Sequence, residues 1–201
     1  MSKFIKNSKG FMGLTMTTLG LFIASGILFL AVCSLVFSNA WQETEELHAI
    51  ARGISTHIQD MDSRFYDCTF AYQCPPNKYQ YTIWVSTEYI TVSAKNLWGA
   101  TVSVNERLIV HPWPRNSTMN WTTGYELHRF LNETCGKWGT SEDPLSIMNL
   151  SELENDQENC ARLLAVCPLC LHPNIPVCIE KVSLFDDTRE KHDVILLYQT
   201  R

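Results

Sequence analysis

From Leu14 to Phe37 the chain runs 24 residues without a charge, and no proline occurs before Pro75. As a helix rising 1.5 Å per residue, such a run reaches about 36 Å, enough to cross a hydrocarbon core of roughly 30 Å with some tilt. It is longer than the roughly 7–15 apolar residues of a cleaved secretory signal. Nothing after it stops the helix. In "ETEELHAIARGISTHIQDMD", Leu47, Ile50, Ala51, Ile54, Ile58 and Met61 recur every three or four residues, while Glu43, Glu45, His48, Arg52, His57 and Asp60 fall mainly off that stripe. The spacing predicts one helix of about fifty residues ending near Asp62, apolar all round in its first half and apolar on one face in its second. Gly53 is its expected weak point, costing about 1 kcal/mol relative to alanine.

Charge orients this helix. Lys3, Lys6 and Lys9 precede it with no acid among them, whereas the remaining residues hold 13 Lys/Arg against 21 Asp/Glu. Basic flanks stay on the cytoplasmic side, so the amino terminus is expected inside and the bulk of the chain outside, in a single pass. An acidic outer domain lacks the clustered Lys/Arg that neutralise phosphates, which argues against nucleic acid as a partner. Four Asn-X-Ser/Thr sequons, at Asn116, Asn120, Asn132 and Asn149, all lie beyond the apolar run and are expected glycosylation sites. Eight cysteines in 201 residues suit an oxidising exterior.

The basic leader ending in Lys9-Gly10, the Phe11 that follows, the apolar helix without a stop and its amphipathic extension resemble the type IV pilin superfamily, specifically archaeal pilin-like proteins with a class III signal peptide. That resemblance implies cleavage by a prepilin peptidase between Gly10 and Phe11, with the apolar helix kept on the mature chain. It implies assembly with copies of itself or with other pilin subunits into an extracellular filament. Gly13 offers a second cut, before Leu14, and Thr15 stands where many members carry a glutamate. A helix end without that carboxylate leaves its ammonium unpartnered in lipid, which suits a minor subunit better than a bulk one. Residues 1–10 then read as the leader, 11–40 as the membrane span, 41–62 as its extension and 63–201 as an extracytoplasmic, disulfide-containing, β-rich domain.

Within that domain "YQYTIWVSTEYITVSA" alternates apolar residues in two runs around Ser86-Thr87-Glu88, which predicts a hairpin. "GATVSVNERLIVHPW" predicts another strand or a pair broken near Asn105-Glu106, and "KHDVILLYQT" a terminal strand, giving four or five strands in all. Helices are expected from Thr123 to Thr134, and from Ser151 to Val166 with Ser151 and Glu154 as a capping box. The expected fold is α+β, a long membrane-spanning helix packed on a small antiparallel sheet with helical and loop insertions.

No arrangement of residues points to catalysis. Cys167-Pro-Leu-Cys170 sits after a helix rather than at the amino terminus that would lower a thiol pKa. Cys160, Cys167, Cys170 and Cys178 have spacings that zinc accepts, but outside the cell they are expected to pair as disulfides, as are Cys68 and Cys74 around their short loop. Cys33 falls within the apolar run, which leaves an odd cysteine outside, and Cys135 is the isolated one. The six histidines show no metal-ligand spacing, and Asp186-Asp187 and Glu142-Asp143 read as polar turns. "HPWPRNSTMNW" reads as an exposed, glycosylated contact surface. The chain is expected to be a structural protein with no cofactor and no metal. The alternative is a permanently anchored outer domain that binds a partner at the cell surface, and a third possibility is a thiol enzyme there.

Overall fold

The computed structural model describes residues 5–76, 80–95 and 99–200, and their side chains except for those of residues 5–15 and 37–40. The expected processing residues Gly10 and Phe11 fall outside the described side chains, and Trp98 outside the described residues. The chain divides into two units, Met1–Glu43 and Thr44–Arg201. Helix α1, Ile5–Asp62, is a single element of 58 residues. In the first unit the apolar side chains are open: Leu21, Phe22, Leu28 and Phe29 are each about two-thirds exposed or more. The most apolar stretch has a mean hydropathy of 2.5 with no residue buried, so α1 is long and apolar enough to cross a membrane. Ser25 keeps its hydroxyl satisfied inside the helix by donating to the Phe22 carbonyl at 3.0 Å.

In the second unit the stripe predicted from the spacing is the core. Leu47, Ile50, Ala51, Ile54, Ile58 and Met61 are all 2 % exposed or less. They pack against two four-stranded sheets. One has the order β1-β7-β8-β5, formed by Cys68–Tyr72, Val177–Phe185, Lys191–Tyr198 and Trp113–Pro114. The other has the order β4-β3-β2-β6, formed by Thr101–Arg107, Tyr89–Lys95, Tyr81–Val85 and Leu169–Leu171. All pairs are antiparallel except β5 with β8. The second sheet gives Ile83, Val85, Ile90, Val92 and Val104 to the same core as the helix stripe, and the first sheet gives Ile179, Ile195 and Leu197.

The other face of the first sheet is also covered. Val182, Leu184, Val194 and Leu196 meet Leu127 and Leu131 of α2, Gly124–Cys135, and Leu150 and Leu153 of α3, Ile147–Val166. Helix α2 starts where the sequence places it, with Thr123 as N-cap and a full capping box to Glu126. Helix α3 starts four residues before Ser151, because Ser146 is the cap and accepts from the Asn149 amide at 3.2 Å. The bridge between Leu145 and Asp186 holds the chain just ahead of that cap, and the earlier start lets Leu150 reach the core. Two sheets with eight strands stand where one sheet of four or five is expected. Asn105 and Glu106 continue β4 instead of breaking it, and both β1 and β7 are strands that the sequence pattern did not mark.

Gly53 proves to be a seat rather than a weakness. A Cβ there would lie 2.5 Å from the Tyr72 hydroxyl and 3.1 Å from its ring, so only glycine lets Tyr72 lie against α1. Tyr72 and Phe70 of β1 sandwich His57 of the helix, at ring separations of 5.2 and 4.4 Å.

The carboxyl end of α1 has no basic residue in its last turn. The cation comes from β7. Lys181, 2 % exposed, donates to the Asp62 and Arg64 carbonyls at 2.6 and 2.7 Å and pairs with Asp193 at 2.8 Å. Lys191 pairs with the same carboxylate at 2.9 Å and reaches the Phe65 carbonyl at 3.2 Å. Burial pushes the Asp193 carboxyl up, but hydrogen bonds from Lys181, Lys191 and Ser183 outweigh it and hold the group below its ordinary 3.8. A depressed carboxyl contributes stability that is present above its ordinary value and lost as the pH falls through the folded one. Replacing Lys181 by Met leaves the Asp62 and Arg64 carbonyls without their donor and Asp193 with Lys191 as its remaining cation, and is expected to lower stability by about 2 kcal/mol at neutral pH. Urea unfolding followed by tryptophan fluorescence measures this, and the gap between variant and wild type is expected to begin narrowing as the pH falls below the ordinary 3.8 and to close through the lower value at which folded Asp193 protonates.

Candidate functional site

The expected surface stretch "HPWPRNSTMNW" is in large part interior. Pro112, Pro114, Arg115 and Trp121 are buried, because β5 lies along β8 and the Arg115 amide donates to the Leu197 carbonyl at 2.7 Å. The Arg115 guanidinium stacks on Trp121, 3.4 Å from the ring centroid, and Nη1 donates to the Met119 sulfur at 3.4 Å. Its Nε and Nη2 have no partner among the described residues. Burial pulls its pKa down to about 10, so it keeps its charge at neutral pH.

The sequons divide by local structure. Asn116 is half-buried at the head of a turn, where its Oδ1 accepts from the Thr118 amide at 3.0 Å and hydroxyl at 2.7 Å. Asn120 is exposed in the loop that follows. Asn132 lies inside α2, where the Thr134 hydroxyl of its sequon is engaged with the Phe130 carbonyl at 2.7 Å. Asn149 lies in the first turn of α3, followed directly by buried Leu150.

All eight cysteines are free thiols in this structure. The local loop expected between Cys68 and Cys74 is instead strand β1, whose five residues span about 13 Å between their ends. Cys68 points at the Met61 sulfur at 3.7 Å, while Cys74 is buried beside Tyr81, which donates to the Pro75 carbonyl at 2.8 Å. Cys167 caps the carboxyl end of α3, and Cys170 faces outward from β6. Burial pushes the Cys74 thiol up to about 11 and raises Cys170 as well, the opposite of what a nucleophilic thiol needs.

Among the described residues, the one group of metal-ligating side chains gathered within reach of a common ion is Asp186, Glu190 and His192, not the cysteines. Asp186 is already engaged. It accepts from the Thr188 hydroxyl at 2.7 Å and amide at 3.0 Å and from the Glu190 amide at 2.8 Å, and lies 3.3 Å from His192 Nε2. The Thr188 hydroxyl leads the bonds that hold its carboxyl below the usual range, against the opposing effect of burial. The group is the turn of the β7–β8 hairpin, with Arg189 in the left-handed conformation at φ 66°. Asp143 likewise organises a turn, taking bonds from Lys137 Nζ at 2.7 Å and the Trp138 amide at 3.0 Å.

Among the described residues two larger surfaces stand out, beside a smaller pocket of about 380 Å³ where Thr87 and His111 face Glu154 and Glu158 of α3. One is the open apolar length of α1. The other is a groove of about 1250 Å³ at the end of the sheet β4-β3-β2-β6, which the sequence reading missed. Its signal is Trp84, an outward position on a strand whose alternate residues are core. Compared with known protein families, curated proteins and solved structures, the chain matches none.

Helix geometry makes Asn132 and Asn149 poor acceptors, since their backbones are already committed to α2 and α3. Glycopeptide mass spectrometry of the native protein is therefore expected to find occupancy at Asn116 or Asn120 and little at the helical pair. Peptide mapping without reduction is expected to find no Cys68–Cys74 crosslink, because closing it requires breaking β1.

Proposed function

We propose that the chain is a pilin-like structural subunit, with a minor role in an extracytoplasmic type IV-like filament. The observation that carries this reading is that one helix supplies both the open apolar segment and the buried stripe on which the globular unit is built. A helix apolar all round needs lipid or other helices about it. The first unit therefore lies in the membrane with its amino terminus cytoplasmic, and like helices of other subunits replace lipid on assembly. Cleavage after Gly10 removes Lys3, Lys6 and Lys9, the charges that pin the helix end inside. Assembly then draws on burial of the apolar helix, without help from a carboxylate at Thr15.

An outer domain with an open groove and a helix that keeps its leader describes the second reading, an anchored binding module. The length of the mature chain separates the two. Intact-mass measurement and amino-terminal sequencing of the native protein are expected to find a chain starting at Phe11, or at Leu14 by the second cut. A leader retained on all of the protein would sink the filament reading and leave the anchored module.

A further inference from the structure

The sheet β4-β3-β2-β6 turns one face to the core and the other away from it. Along β2, Tyr81, Ile83 and Val85 are buried while Thr82 is half-buried and Trp84 exposed. The register carries this alternation across the sheet. Trp84 lies between Cys170 and Thr91, Thr82 beside Ser93, and Ser93 beside Ser103. The outer face is thus one indole set among short hydroxyl side chains. The groove at its end is lined by Trp84, Thr82, Ser93, Thr101, Gln80 and His172, among others, and Lys95 is the one permanently charged side chain among the described residues that line it.

This chemistry narrows the ligand. A polyanion such as nucleic acid is met by several cations placed against its phosphates, and the described residues of the lining offer Lys95. An acyl chain favours a predominantly apolar lining, whereas Thr82, Ser93, Thr101, Gln80 and Asn174 set hydroxyls and amides along this one. A peptide strand adds to an open sheet edge through main-chain bonds, whereas these residues occupy the face. The lining suits a ligand with an apolar flank for the indole and many neutral groups that both donate and accept, as Thr, Ser and Gln do. A pyranose ring has this form: one face of C–H groups, and hydroxyls around its rim. The groove exceeds the roughly 300–1,000 Å³ of ordinary small-molecule pockets, which gives room for several linked rings.

We propose that this groove binds a neutral oligosaccharide, with Trp84 as the stacking platform and Thr82, Ser93, Thr101 and Gln80 bonding the ring hydroxyls. The site is independent of whether the chain is a filament subunit or a lone anchored protein, because it uses only the outer domain. As a filament subunit the chain would present the groove to glycans outside the cell.

The test uses the full chain in lipid nanodiscs free of sugar detergents, titrated calorimetrically with linear oligosaccharides of glucose, of mannose and of N-acetylglucosamine. At least one series is expected to bind and to change the tryptophan emission. Trp84→Gln is expected to weaken that binding about tenfold or more, while Trp84→Tyr, which keeps an aromatic platform, retains most of it. Thr82→Val keeps side-chain shape and Ser93→Ala adds no bulk, and each removes one hydroxyl, so they test the same site should Trp84→Gln fail to fold. Each is expected to weaken binding without moving the melting temperature. The proposal is overturned if none of the three series binds the wild-type chain, or if folded Trp84→Gln binds as tightly. Self-association that depends on Trp84, with no saccharide bound, also overturns it and assigns the face to a second copy.

Discussion

The ammonium of Lys181 sits where the long helix ends and the sheet begins, and both depend on it. A helix of 58 residues presents unpaired carbonyls and a partial negative charge at its carboxyl end, and α1 offers no cation of its own there. Lys181 fills that place from the middle of β7, with Asp193 of β8 as its counter-ion. A buried lysine is tolerated only when paired and fully hydrogen-bonded, and here two carbonyls and a carboxylate do both. The same contacts set the direction of the chain as it leaves α1 toward β1, which then lies along β7 in a register that pairs Cys68 with Lys181 itself.

This arrangement makes the sheet β1-β7-β8-β5 the central layer. Odd-numbered positions of β7 from Val177 to Ser183 face α1, and even-numbered ones meet α2 and α3. Glu180 shows what such a layer demands of a polar side chain. It accepts from the Gly124 amide and the Tyr198 hydroxyl, both at 2.9 Å, so the carboxylate that faces α2 serves the first turn of that helix. Gly124 is glycine because an added Cβ would lie 2.6 Å from both Glu180 and Val182. The helix is thus pressed onto the sheet more closely than any side chain at its start permits.

The other sheet has a different economy. One face joins the core, and the other is polar, with Trp84 as its only large apolar side chain that is outward and exposed among the described residues of β2, β3, β4 and β6.

Much of this was open to reading from residue order alone. The stripe from Leu47 to Met61, the uncharged run before it, the hairpin of β2 and β3 and the cap at Thr123 are local patterns, and the physics behind each acts within a few residues. Strand β7 was not legible, because "VCIEKVSLF" is buried on both faces and loses the alternation that marks a half-exposed strand. Strand β1 reads as a cysteine loop, since nothing within "CTFAY" tells that β7 will pair with it. The start of α3 was placed at the better local cap, and the bridge between Leu145 and Asp186 moved it to Ser146. Gly53 reads as a defect until Tyr72 is seen against it, and no local pattern marks Lys181 as the residue that closes a helix ending more than a hundred residues earlier in the chain. The sequence by itself determined where the chain is apolar, where it is helical and which face of the helix is core. Tertiary structure alone decided which strands flank that core, which glycines are obligatory and where the groove opens, because each depends on contacts between residues far apart in sequence.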